Sequence, residues 1–178
     1  MLCTPLYDKG SIWNTYQEVT YKLPRKLSDI DTVCFVFNEK VHIGGFRFSK
    51  QNKAFERLYA TDNDFLYGDS YEVKSRAIEG IGNNVTIGFN DLDFGDKGAK
   101  SVEICLRCER KNSFQIITFD SNDTAISTMV EAEPVKEYTV VCYDLEKAAT
   151  GKNTVSLVFL PGCDIDIEWI NFIEMEGH

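Results

Sequence analysis

A chain of 178 residues that is 43% hydrophobic and holds only four prolines carries enough apolar side chain for a substantial core, which excludes a disordered polymer. Its net charge of -9 argues against nucleic acid as a partner, because surfaces that track phosphates concentrate Lys and Arg. No long apolar run occurs, and no basic segment precedes a hydrophobic one near the N-terminus, so neither a membrane span nor a signal peptide is expected.

In chain order, β-branched and aromatic residues alternate over 16–23, 32–37, 41–48, 53–60, 85–89, 101–107, 113–120, 138–143, 154–159 and 165–173. Each of these runs predicts a strand. Turn chemistry separates them at 80–84, 94–98, 120–123, 151–153 and 161–162, where Gly, Asn, Asp and Pro gather. No window of helical periodicity outlasts about two turns. The expected class is therefore all-β, a jelly-roll sandwich of two sheets with additional N-terminal strands. The longest polar and aromatic stretch is 62–71, with three aspartates and three aromatics. A loop of that kind reads as a binding edge or as a cap over the sandwich rim.

One pattern occurs twice. Residues 16–48 can be laid on 138–172 with a two-residue insertion after Phe159, matching Tyr16 with Tyr138, Val19 with Val141, Tyr21 with Tyr143, Leu23 with Leu145, Val33 with Val155 and Phe37 with Phe159. Residues 53–175 are long enough for a complete small β-domain, whereas too little chain precedes the first copy. Residues 1–48 are therefore read as the C-terminal strands of a preceding, incomplete homologous module. The alternative is chance likeness between hairpins that share alternation for physical reasons. Strands without their own module must find another ladder, and docking on the same chain through Val33, Phe35, Phe37, Ile43, Phe46 and Phe48 is expected.

Six cysteines mostly stand singly in strand-like runs, where free thiols behave as small hydrophobes. Cys105 and Cys108 form the single CxxC. Residues three apart on a strand face opposite ways, so they are not expected to chelate one ion. Unpaired cysteines point to a cytoplasmic parent protein rather than a secreted one. Catalysis has little to stand on: the acidic residues fall in turns, and His42 and His178 offer no triad with a buried orienting partner. The chain is read as non-enzymatic.

The segment from Gly10 through Trp13 to Tyr16, with the strands that follow it, resembles the C-terminal third of family 6 carbohydrate-binding modules. The ending Asp166-Ile-Glu168-Trp169-Ile-Asn-Phe172 resembles that family's last strand. The fuller wording, with Ala54-Phe-Glu56-Arg-Leu58, Tyr67-Gly-Asp-Ser-Tyr71 and Glu79-Gly-Ile-Gly-Asn83-Asn84-Val85, is similar to the C-terminal modules of bacterial family 2 glycoside hydrolases of the β-galactosidase type. The resemblance implies a jelly roll without catalysis of its own, a fragment of a hydrolase whose catalytic domain lies elsewhere. Its partners would be carbohydrate or the parent's other domains. The class alternative is a purely structural sandwich that supports interdomain or subunit contacts.

For sites, the resemblance implies sugar binding through an aromatic platform and a polar partner, because pyranose C–H faces stack on rings while hydroxyls need amides or carboxylates. The candidates are Trp13, Tyr67, Tyr71, Asn83, Asn84 and Asp166. In the second copy, Val135 stands where the platform Trp13 stands in the first, and Asp166 replaces the family's asparagine. The family also holds a structural Ca2+ between its first and last strands, and Glu56 and Glu168 match those positions.

Overall fold

The computed structural model describes residues 10, 12, 15–21, 34–37, 40–46, 48 and 52–175. The chain divides into two compact units, Met1–Lys50 and Gln51–His178.

Every strand among the described residues lies in the second unit. The order is β1 (Leu58–Tyr59), β2 (Phe65–Tyr67), β3 (Glu72–Val73), β4 (Ile78–Ile81), β5 (Thr86–Asp93), β6 (Ala99–Cys108), β7 (Asn112–Phe119), β8 (Ala125–Ala132), β9 (Val135–Ala149), β10 (Lys152–Phe159) and β11 (Ile165–Glu174), with a 3-10 turn at Ala60–Asp62. They form two antiparallel sheets. One runs β3-β4-β11-β6-β9, with β1 also on β11, and the other runs β2-β5-β10-β7-β8. From β4 to β11 the chain crosses repeatedly between the sheets, as a jelly roll does. No helix of the described residues is long and apolar enough to cross a membrane.

Period-two alternation drives this arrangement. In β7, Phe114 and Ile116 point inward while Ser113 and Gln115 point out, and in β10 Val155, Leu157 and Phe159 are buried. Phe114 stacks on Phe159 at 5.1 Å across neighbouring strands, and Phe94 meets Phe172 edge-on at 5.0 Å. Each fully buried side chain of this size contributes roughly 1.5–3 kcal/mol, so the rings joining the layers carry much of the stability.

Strand polarity follows from the pairing. With every neighbour antiparallel, the loops 68–71, 82–85, 109–111, 133–134 and 160–164 gather at one end of the sandwich. The loops 74–77, 94–98, 120–124 and 150–151 gather at the other. The first set holds the candidate site.

The structure departs from the sequence expectation in several places. The strand expected over 53–60 shrinks to β1 after a turn at 54–55. The loop at 62–71 contains β2, because Phe65 and Tyr67 alternate with Leu66 against β5. β8 was not expected, since only Thr128, Val130 and Ala132 of it are buried and its outer face mixes Ala125, Ser127, Met129 and Glu131. Among the described residues of 16–23, 32–37 and 41–48, none is in a strand. There Phe35 meets Phe37 at 6.3 Å and Phe46 at 4.8 Å. Val33 lies outside the described residues.

Candidate functional site

The site begins with two loops held together by their backbones. Gly82 N–H donates to Ser70 C=O at 3.0 Å, and Asn84 Nδ2 donates to Asp69 Oδ2 at 3.1 Å. Asn84 sits at φ 56°, a left-handed position that asparagine tolerates better than most residues. Gly68 lies at φ 142°, and a Cβ there would stand 2.5 Å from Val85 Cα. Glycine is required because the loops approach backbone to backbone. Tyr67, Tyr71, Asn83 and Asn84, widely spaced in sequence, are thereby brought to one rim.

Tyr67 closes β2 and is 58% exposed. Its ring lies nearly parallel to Phe65 at 6.2 Å, with an interplanar angle of 16°. Phe65 is seated directly over Gly88 of β5, where any side chain would collide with the ring. The bare backbone of Gly88 thus makes room for the Phe65 ring, beside which Tyr67 stands. Tyr71 is 37% exposed at the entry to β3. Asn83 is exposed at the tip of the β4–β5 turn.

On the first sheet, four neighbouring strands contribute one side chain each to a charged row. Asp166 of β11 accepts from Arg107 Nε at 2.8 Å, from the Arg107 Nη2 at 2.6 Å and from Gly80 N–H at 2.7 Å. Tyr138 Oη donates to Glu79 Oε1 at 3.0 Å, and the Arg107 guanidinium lies 4.8 Å from the Tyr138 ring centre. The hydrogen bond to Asp166 raises the Arg107 pKa, and burial followed by the Glu79 hydrogen bond raises that of Tyr138. Arg107, Cys108, Glu109, Lys136, Asp164 and Asp166 line an open cleft of about 540 Å³ beside this row.

Sequence reasoning placed Asp166 among free sugar-binding groups, but both of its oxygens are engaged by Arg107 and Gly80. It missed Phe65, Glu79, Arg107 and Tyr138. The Phe65-x-Tyr67 spacing signals a shared strand face, whereas nothing in sequence announces that Glu79 and Arg107 become cross-sheet neighbours. Trp13 lies outside the described residues.

Glu56 lies in the turn before β1, and Glu168 lies in β11. Leu58 and Tyr59 pair with Ile170 and Trp169, so Glu56, in the turn before β1, and Glu168, beyond Trp169, fall on opposite sides of the paired residues. Glu168 Oε2 instead accepts from the Cys105 thiol at 3.3 Å. Among the described residues, no group of three His, Cys, Asp or Glu side chains could hold a metal.

The fold is that of family 6 carbohydrate-binding modules. A Clostridium stercorarium module solved with cellobiose superposes with a TM-score of 0.59 at 23% identity, over 74% of this chain and 99% of that one. A Clostridium cellulolyticum module in complex with xylose gives 0.57 at 23% identity, over 68% and 98%. A β-1,3-glucan binding module from Bacillus halodurans gives 0.55 at 20% identity, over 67% and 96%. A family 43 arabinoxylan arabinofuranohydrolase from Bacillus subtilis matches over 29% of its length, with a TM-score of 0.56 at 16% identity and 74% of this chain covered. At these identities the likeness establishes architecture alone. No protein-family profile matches the chain, and no curated protein matches it by sequence.

Proposed function

We propose that this chain is a non-catalytic carbohydrate-binding accessory module of a glycoside hydrolase. The observation that carries the reading is the rim on which half-exposed Tyr67 stacks on Phe65, beside the turn that presents Asn83 and Asn84. A flat apolar ring with amides next to it suits a pyranose, whose C–H face stacks while its hydroxyls exchange hydrogen bonds. The folds it shares with sugar-binding modules support the reading. The assignment of the parent to the β-galactosidase type of family 2 rests on the wording of 54–58, 67–71 and 79–85, and it belongs to this proposal. So does the cytoplasmic location.

A second reading, a structural sandwich without sugar, is favoured by one observation: both oxygens of Asp166 are already engaged, Oδ2 by Arg107 and Oδ1 by Gly80 N–H. One screen separates the two. Affinity gels and calorimetry with β-glucans, xylans and galactosides are expected to show retention on at least one sugar class. Tyr67→Ala should weaken that binding by about 1–3 kcal/mol, as truncating a stacking anchor does at interfaces, with its melting temperature unchanged. Failure of every sugar to bind the folded protein would leave the structural reading standing.

A further inference from the structure

An aspartate on an exposed loop ordinarily keeps its rotamer freedom. Asp69 is held from three directions instead. Before it, Gly68 packs so closely on the facing loop that a Cβ there would stand 2.8 Å from Val85 Cγ2. After it, Ser70 C=O accepts from Gly82 N–H at 3.0 Å, and the Ser70 hydroxyl lies where a Cβ on Gly82 would come within 2.2 Å of it. Across the gap, Asn84 Nδ2 donates to Asp69 Oδ2 at 3.1 Å. A carboxylate only accepts, so this contact also fixes which way the amide faces. Asn84 is thereby committed to Asp69.

Among the described residues this carboxylate is exposed and takes part in no ion pair. No Lys or Arg occurs over 65–73 or 77–96, the two stretches that build the rim. Asp69 stands two residues from Tyr67 and two from Tyr71, at most about 7 Å between Cα atoms. One or two sugar rings cover that span. A preset acceptor beside a flat ring matches a sugar whose C–H face lies on Tyr67 and whose hydroxyls donate to the carboxylate, and such charge-assisted bonds are the stronger kind. A uronate or a sulfate would bring negative charge and further acceptors against Asp69, with no cation in either stretch to offset them.

We propose that Asp69 is the specificity-determining residue of the rim: set in place by Asn84, its carboxylate accepts hydroxyl hydrogens from an uncharged sugar stacked on Tyr67 and excludes glycans that carry carboxylate or sulfate. The inference rests on the sugar-binding reading of this rim and gives that reading a substrate class. Asn84 is then a positioning residue, acting through Asp69 rather than on the sugar. Fixing the acceptor beforehand removes an ordering cost from binding, which is what the interlocked loops contribute.

The test uses the full chain on affinity gels at physiological salt, where charges farther apart than about 8 Å are screened. The gels come in pairs: hydroxyethyl cellulose with carboxymethyl cellulose, arabinoxylan with glucuronoxylan, and galactan with polygalacturonate. Retention is expected on at least one uncharged polymer and is expected to be about tenfold weaker on its charged counterpart. Asp69→Asn should weaken binding to the uncharged polymer about tenfold and narrow the gap between the two. The variant removes one charge from a net -9, so a narrowed gap locates the exclusion at Asp69 rather than in the charge of the whole protein. The exchange Asp69→Asn/Asn84→Asp keeps an amide–carboxylate bond between the loops, and aspartate tolerates the left-handed position of Asn84. It should melt like the wild type while binding stays weak. Wild-type affinity in the exchange variant would mean that Asp69 only ties the loops, and overturns the proposal. Binding that is lost in Tyr67→Ala but untouched by Asp69→Asn leaves the sugar-binding reading in place and overturns the proposal, as does equal retention on a charged polymer. If no polymer is retained, both fall.

Discussion

Gly88 shows how one missing side chain shapes the proposed platform. Its Cα supports the Phe65 ring, and Phe65 in turn supports Tyr67. Gly88→Ala is expected to push Phe65 off the sheet, at a cost of about 1–3 kcal/mol, as overpacking does. Sugar affinity, if carried by Tyr67, should fall with it; a variant with the wild-type melting temperature would show that Phe65 has other room. Thiols offer a second residue-scale test. Burial first, and then the hydrogen bond to Glu168, push Cys105 up to about 12 from the usual 9.0. The folded state favours the neutral thiol, so this contribution is fully present below about pH 9 and is lost as pH rises towards 12. Thermal melts across that window are expected to fall more steeply for the wild type than for Cys105→Ala. At neutral pH an alkylating reagent should modify exposed Cys34 and Cys142 while sparing buried Cys105, Cys108 and Cys163.

At the scale of elements, the row across β4, β11, β6 and β9 acts as a clasp on the first sheet. Arg107 is the only cation in it, and it serves Asp166, Glu79 and the Tyr138 ring together. Arg107→Ala leaves the carboxylates of Asp166 and Glu79 without their shared cation, each keeping one hydrogen bond, from Gly80 N–H and Tyr138 Oη, and the expected loss is about 1–3 kcal/mol in a denaturant titration. Arg107→Lys should recover part of it, because an ammonium restores charge but not the two-pronged contact with Asp166. Equal stability of both variants and the wild type would mean that the row is surface decoration.

At the scale of the whole molecule, all strand pairing and all buried hydrophobic side chains among the described residues fall between Ala54 and Glu174. Residues 51–178 are therefore expected to fold alone. Circular dichroism of that fragment should show a β spectrum and a single cooperative melt. Loss of cooperativity would mean that residues 1–50 supply part of the sandwich.

Period-two alternation made the class of fold legible in the sequence, because burying one face of a strand leaves a signature in consecutive residues. The strongest core strands, such as β7, β10 and β11, could be read that way. β8 could not, since polar Thr128 sits on its buried face and apolar Met129 on its outer one, and β2 was hidden among aspartates. Turn glycines and asparagines likewise marked the rim loops, and with them Tyr67, Tyr71, Asn83 and Asn84. Which side chains meet was decided by register and sheet order. Asp166 reads as a free polar group until β6 is laid beside β11 and Arg107 claims it. Contacts between strands distant in the chain depend on a choice of partner and offset that leaves no local pattern, so only the tertiary structure could supply them.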